Sequence, residues 1–192
     1  MQWGSVRKDI FGGVVCLANQ AKTFVLSKSN LLVHGSPSSY RIAEYFLLRA
    51  HEIDPSSTVG CVLGWFYAQQ MKDQAKGDRY LYKAVLQDRK NATSTLELAV
   101  YLYETHRLDR ACAWFYRCLR CPDKRVHPVA LYFLARIYQQ WNRPERTIRY
   151  LNLALRMKPD FEAASRFLNR LKKSGLAENY TSNDSNPGQL RF

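Results

Sequence analysis

The chain repeats itself every 34 to 36 positions, and that period constrains its fold more than any other feature. Small residues occupy one column, Ala43, Gly77, Ala111 and Thr147, separated by 34, 34 and 36 positions. Four residues further on stand Leu47, Leu81, Phe115 and Leu151, and three beyond those Ala50, Ala84, Cys118 and Ala154. Five beyond these come Pro55, Arg89, Asp123 and Pro159. Upstream in the last three units, Leu63-Gly64 with Tyr67, Leu98-Ala99 with Leu102, and Leu134-Ala135 with Tyr138 keep step at spacings of 35 and 36. Two helices per unit satisfy both patterns. The small residues let two helix axes approach, and large residues three or four positions away fill the grooves beside the contact. Asp54-Pro55 and Lys158-Pro159 stop a helix, because proline disfavours helical geometry in the residue before it. A hairpin this short cannot enclose its own apolar face, so the next one must cover it. The expected class is all-α, an array of antiparallel helix hairpins.

The period also sets boundaries. Residues 1–37 do not fit the first-helix pattern and read as an irregular N-terminal segment. Within it Val6–Ala21 and Thr23–Leu32 read as helices, and the stretch from His34 to Ser39 reads as a loop. A repeat domain then spans 38–175: a partial repeat at 38–56, full repeats at about 57–91, 92–127 and 128–160, and a terminal helix at 161–175. That helix turns Phe161, Ala164, Phe167, Leu168 and Leu171 inward, leaves Arg166, Arg170, Lys172 and Lys173 in water, and stops at Gly175. Residues 176–192 are polar and aperiodic, and we expect them to be disordered. The irregular start leaves open that the chain is one part of a longer repeat array.

The stretches "VLGWFYA" (Val62–Ala68) and "AEYFLLRAHEIDP" (Ala43–Pro55) resemble the tetratricopeptide repeat family. Its signature is a 34-residue helix-turn-helix with a Trp/Leu-Gly-Tyr first helix, an Ala-Phe-Ala second helix and a closing proline. The resemblance covers about Ser38 to Gly175. Thr147 and Cys118 stand where alanine is usual, and the closing proline is absent near Arg89 and displaced to Pro122. The resemblance implies a right-handed superhelical array with a C-terminal capping helix. First helices would line a concave groove that receives a peptide or partner helix, and second helices would form the convex surface. One version of the family clamps a terminal carboxylate with groove Lys and Asn side chains. Here Trp65 stands where the clamp has Asn, Val100 follows Ala99, and Arg136 matches a clamp arginine. One arginine does not replace the converging donors that hold a carboxylate. The implied groove is instead Cys61, Trp65, Ala68, Val100, Tyr103, Glu104, Tyr132, Arg136 and Gln139, rich in the residue types that anchor interfaces. Its expected ligand is an apolar or aromatic protein or peptide segment. The competing reading packs Trp65 and Tyr132 against neighbouring repeats or the N-terminal segment.

The formal net charge is +13, and it is unevenly placed. From His106 to Lys173, sixteen Lys and Arg face five Asp and Glu. Arg110 and Arg146 stand at matching places in successive second helices, as do Arg120 and Arg156, and Arg117 and Arg149 join the same side. Such a face suits an acidic protein surface, with plain solvation as the bland reading. RNA and lipid headgroups are rivals. Tyr116 and Tyr150 lie nearby as stacking rings for RNA, but no recognised RNA-binding motif accompanies them.

Catalysis, metal and cofactor find no pattern. The four histidines, His34, His51, His106 and His127, are scattered, and neither a phosphate-binding glycine loop nor H-E-x-x-H is present. Cys118-Leu-Arg-Cys121 lacks a second pair at zinc-site spacing and reads as small apolar side chains in a helix interface. Five cysteines, an odd number, favour a reducing compartment. No apolar run approaches the roughly 18 residues of a spanning helix. The acid-poor N-terminus, with Arg7, Lys8, Lys22 and Lys28 against Asp9, leaves an organelle address open. Asn91-Ala-Thr93 and Asn179-Tyr-Thr181 spell glycosylation acceptors, which carry no meaning in an intracellular chain. The sequence therefore reads as an intracellular, cytoplasmic, non-catalytic scaffold or adaptor. It would hold one partner in the groove and an acidic one on the basic face; the alternative is an RNA-associated repeat protein. Oligomeric state is not legible.

Overall fold

The computed structural model describes residues 37–53 and 55–174. The segments expected at Val6–Ala21 and Thr23–Leu32, the N-terminal address, the stop at Gly175 and the tail at 176–192 lie outside the described residues. Within the described residues every regular element is helical. These elements are α1 (Pro37–Ile53), α2 (Ser57–Trp65) running into a π-helical turn (Phe66–Gln70), α3 (Gln74–Gln87), α4 (Ala92–Glu104) and α5 (Leu108–Leu119). A 3-10 turn (Lys124–Val126), α6 (His127–Gln140), α7 (Pro144–Met157) and α8 (Glu162–Lys173) follow. The chain thus adopts the all-α class expected from its period. The loop expected to reach Ser39 is shorter than that. Helix α1 opens at Pro37, since a proline's missing N–H costs nothing at the first helical position.

The chain divides into two compact units, one ending at Arg89 and the other starting at Lys90. In the first, Leu47, Leu63, Phe66 and Tyr67 form a buried cluster, with Tyr40, Ala43, Leu48, Val62 and Tyr80 packed against it. The α2–α3 crossing rests on glycines. A Cβ on Gly77 would lie 2.8 Å from the Cβ of Ala68 and 3.1 Å from the Gly64 carbonyl oxygen. A Cβ on Gly64 would strike Leu81 and stand 3.1 Å from the Gly77 carbonyl oxygen. One turn earlier, a Cβ on Gly60 would stand 3.0 Å from that of Ala84.

In the second unit the same columns are filled by slightly larger residues. Ala99, Ala111, Ala135 and Thr147 are all fully buried. Threonine is accepted in that small-residue column because its hydroxyl donates to the Arg143 carbonyl at 2.9 Å, leaving only its methyl to be packed. Phe115, Leu151, Cys118 and Ala154 complete the columns with no exposed surface. Helix α8 buries Ala164, Phe167, Leu168 and Leu171, and its last turn carries Arg170, Lys172 and Lys173, which suit the negative end of a helix dipole.

Each hairpin turns in three residues: 71–73, 105–107 and 141–143. Each turn holds one non-glycine residue in the left-handed region, Lys72 (φ 56°), His106 (φ 59°) and Asn142 (φ 53°). In the second unit the bonding is that of a Schellman motif. Arg107 N–H donates to Leu102 and His106 N–H to Tyr103, and Arg143 and Asn142 donate likewise to Tyr138 and Gln139. The first hairpin is one residue longer: Gly64 and Gly77 are 13 positions apart, against 12 for Ala99–Ala111 and for Ala135–Thr147. The π-helical turn absorbs the extra residue, and Asp73 N–H reaches back six positions to Tyr67 instead of five. Helix starts are capped by Asp73 and Asn91, whose side chains accept from Lys76 and Ser94 N–H at 2.9 and 3.1 Å. Asn91, the first spelled glycosylation acceptor, is thus occupied as a helix cap.

Two outcomes follow for stability. Gly→Ala in a helix ordinarily gains about 1 kcal/mol. At Gly77, and more so at Gly64, the blocked Cβ should reverse the sign and cost about 1–3 kcal/mol in urea unfolding. His106→Gly should gain about 0.5–1 kcal/mol by relieving a left-handed side chain, whereas Asn142→Gly should be nearly neutral, because asparagine tolerates that region. Melting temperatures of the two variants measure the difference.

Candidate partner-binding surfaces

In the first unit, α2 carries Cys61, Trp65 and, in its π-helical continuation, Ala68. Cys61 is only 5% exposed and is a core residue, which corrects its expected place in a groove wall. Trp65 is half-buried. Ala68 is also half-buried, and its methyl is what Gly77 makes room for.

In the second unit, α4 and α6 contribute Val100, Tyr103, Tyr132, Arg136 and Gln139. Tyr103 is 6% exposed. Phe133 meets its ring edge at 5.2 Å, the Arg136 guanidinium lies 5.1 Å from its centroid, and Gln140 donates to its hydroxyl at 3.1 Å. Burial pushes its phenol above the ordinary value, against the pull of Arg136 and Gln140. Tyr103 is therefore a pinned interior ring, which corrects its expected role as a contact. Phe133 and Gln140, absent from the expected set, do the pinning; the sequence signal was their three- and four-residue offset from Arg136, on the opposite sides of it. Tyr132 leans on Phe133, Phe161 and Phe167 at 5.6, 5.4 and 6.2 Å, so its ring belongs partly to the seam with α8. Val100 and Arg136 remain half-exposed, and Gln139 and Glu104 are exposed.

The six expected arginines of the basic face, Arg110, Arg117, Arg120, Arg146, Arg149 and Arg156, are all exposed. They are not equivalent. Arg146 donates to the Tyr138 hydroxyl at 3.1 Å and lies 5.1 Å from the centre of that ring. Tyr138 stacks on Tyr150 at 5.3 Å, and the Tyr116 hydroxyl stands 2.9 Å from that of Tyr138 and 2.7 Å from that of Tyr150. Burial and these two neighbours hold the Tyr116 phenol well above its ordinary value, and burial pushes the adjoining Cys112 thiol up to about 11. Cys118, the first cysteine of the C-x-x-C, has no exposed surface, and burial pushes its thiol up to about 12.

The first unit has a counterpart. Tyr80 stacks on Tyr67 at 5.4 Å, Lys76 lies 4.8 Å from the Tyr67 centroid, and the Tyr67 hydroxyl donates to Glu44 at 2.7 Å. Two further columns explain the match: Phe46, Tyr80, Trp114 and Tyr150 at spacings of 34, 34 and 36, and Lys76, Arg110 and Arg146 at 34 and 36. In the α4–α5 hairpin the pattern is broken, because Leu102 stands where Tyr67 and Tyr138 stand in their hairpins. Among the described residues Arg110 therefore covers no ring, and Trp114 receives Arg117 instead, at 4.8 Å. Among the described residues, ion pairs join Arg49–Glu52, Lys76–Asp73, Arg125–Asp123 and Arg166–Glu162, and none of these four involves the six arginines. The described histidines are dispersed: His106 forms a turn, and His127 Nε2 stands 3.1 Å from the Cys121 carbonyl.

Residues 128–161 match the family model of the tetratricopeptide repeat. The fold is similar to that of several solved structures. PilF of Pseudomonas aeruginosa shares 18% identity over 88% of this chain and 75% of its own, with a TM-score of 0.65. PilW, described as a widely conserved type IV pilus biogenesis factor, shares 20% over 85% and 74%, also at 0.65. YrrB, described as a TPR protein with an unusual peptide-binding site, shares 16% over 81% and 74%, at 0.59. No curated protein matches the chain.

The Tyr116 hydroxyl serves two neighbours that are themselves buried. Tyr116→Phe should therefore cost about 1–2 kcal/mol in chemical unfolding, more than an ordinary surface hydroxyl, with the circular dichroism of the native state unchanged.

Proposed function

We propose that this tetratricopeptide-repeat protein is a non-catalytic scaffold or adaptor that binds an apolar or aromatic segment of another protein along its first helices. We take residues 57–91, 92–127 and 128–160 as its full repeats, 38–56 as a partial one, and 161–175 as the cap. The observation that carries this reading is the α4–α6 face of the second unit. There Val100, Tyr132 and Arg136 keep part of their surface open around a Tyr103 ring that is fixed in place. A rigid aromatic floor beside half-exposed apolar and guanidinium groups is what an interface anchor site requires. Trp65 offers a similar half-exposed ring in the first unit. YrrB, of like fold, is described as having a peptide-binding site, which supports a peptide as the ligand class. The exposed arginines of α5 and α7 supply a second contact for an acidic partner. Within the described residues no helix is long and apolar enough to cross a membrane, in keeping with a protein that meets its partners in an aqueous compartment of the cell.

Peptide display against the full chain tests this reading. Selected sequences should be rich in Trp, Phe and Leu. Val100→Asp and Trp65→Ala should weaken the peptides selected at their own faces by about tenfold or more, equivalent to about 1.4 kcal/mol, with helicity unchanged. A selection that returns no binders, or binders indifferent to both substitutions, would contradict it.

A further inference from the structure

We propose that the chain's own segment Val6–Ala21 docks on the open side of α1 and serves as the first helix of a further hairpin. The proposal goes beyond the scaffold reading, because it assigns an occupant to a face that neither the groove nor the basic face uses.

Helix α1 carries the second-helix columns, Ala43, Leu47 and Ala50, and among the described residues no helix precedes it. The columns show which side is open. Gly77, Ala111 and Thr147 are buried, whereas Ala43 is only half-buried. Tyr80 and Tyr150 stack on Tyr67 and Tyr138 of the first helices of their hairpins, at 5.4 and 5.3 Å. Phe46, in the same column, is 44% exposed, and beside it stands its own neighbour Tyr45, edge-on at 5.6 Å and 57% exposed. Leu47, one residue on, is buried in the cluster with Leu63, Phe66 and Tyr67. One side of α1 is thus covered and the side next to it is not. The terminal helix α8 makes the contrast: it buries its apolar residues and exposes Arg166, Asn169, Arg170, Lys172 and Lys173, as a helix that closes a stack should.

The usual hairpin does not supply the missing neighbour. The turns at 71–73, 105–107 and 141–143 lie six to four positions before Gly77, Ala111 and Thr147. The same positions before Ala43 are 37–39, and they form the first turn of α1. The chain runs straight there, where the other hairpins reverse, so a first helix has to arrive over a longer connection.

Val6–Ala21 lies outside the described residues, and its sequence carries what the open side asks for. Val6, Ile10, Val14, Leu17 and Ala21 recur at i, i+4, i+8, i+11 and i+15, one stripe of a helix. Leu17-Ala18 beside that stripe repeats the Leu98-Ala99 of α4 and the Leu134-Ala135 of α6. Where two of the other hairpins have Tyr67 and Tyr138, three positions after the small residue, this segment has Ala21, which leaves room for the Phe46 ring. Ala18 and Ala43 are 25 positions apart, against 12 or 13 in the other hairpins, and the difference is the longer connection. With Ala18 set against Ala43 and the helices antiparallel, helix rise and axial separation bring Ala21 and Pro37 to about 10 Å from each other. Residues 22–36 reach up to about 50 Å when extended, so they span that gap with ease. A tethered segment also meets α1 at an effective concentration in the millimolar range, ahead of a helix from another chain.

Hydrogen exchange of the full chain, read by mass spectrometry, tests the proposal. Phe46→Glu should speed the exchange of Val6–Ala21 amides about tenfold or more, and Leu17→Glu should do the same for the amides of α1. Leu86→Glu, at a leucine of α3 that is 61% exposed, should change neither. Phe46→Leu, which keeps an apolar side chain, should keep Val6–Ala21 protected. The double variant of Leu17→Glu and Phe46→Glu should speed either segment no more than the stronger single change, because both break one contact. Exchange of α3 is the fold control; if Phe46→Glu speeds it as well, Leu17→Glu decides alone. Val6–Ala21 amides that exchange at the rate of an unfolded peptide, or no response of each segment to a change in the other, would overturn the proposal. So would protection that is lost on dilution, which would put a second copy of the chain on α1.

Discussion

Where Gly64 meets Gly77, backbone touches backbone, and the rest of the first unit is arranged around that approach. Helix axes can come only as close as the side chains between them allow. Two glycines set the limit there, and the matching columns hold two buried alanines in the α4–α5 hairpin and a buried alanine and threonine in the α6–α7 hairpin. Once the crossing is fixed, residues three and four positions away have no freedom. Leu81, Phe115 and Leu151 must fill the grooves beside it, and all three are fully buried. The same approach dictates the turn. Two helices held this close leave three residues to reverse direction, and the left-handed residue with its backward hydrogen bonds is how the chain manages it.

A second layer of contacts sits one turn from each crossing. In two hairpins the large residue of the first helix is a tyrosine stacked on an aromatic of the second, and a cation from the start of the second helix covers the pair. The arrangement lets a tyrosine be nearly buried while its hydroxyl still finds a partner, Glu44 for Tyr67 and Tyr116 with Arg146 for Tyr138. It also gives some basic residues a structural reason to be where they are. Charge counted along a chain cannot separate a cation that covers a ring from one that faces water.

The hairpins were legible in the sequence because their columns are about residue size, and size repeats visibly. The extra residue of the first hairpin was legible too, as a spacing of 35 where the neighbouring column had 34, although only the π-helical turn shows what becomes of it. Burial of the expected groove residues was not legible. Cys61 and Tyr103 lie on first helices, as the period requires, yet both are buried, and Tyr103 is closed over by Phe133 and Gln140 from the next hairpin. Tyr132 has the same lesson, since its partners Phe161 and Phe167 stand at the N-cap of the terminal helix and within it. Periodicity gives the helix face a residue occupies and says little about what closes over it.

The six arginines show how a broken column can carry more information than a kept one. Lys76 and Arg146 keep the pattern and are consumed by it, each over a tyrosine of its own hairpin. Arg110 keeps its place in the column, but Leu102 has taken away the ring. A leucine there packs as well as a tyrosine and needs no hydroxyl partner, so the core loses nothing by the exchange. The guanidinium above it is released, at the helix end least suited to a positive charge. Water alone would satisfy it, as it does most surface charges. What sets this position apart is that its column partners, Lys76 and Arg146, each keep a tyrosine ring, while Arg110 keeps none among the described residues.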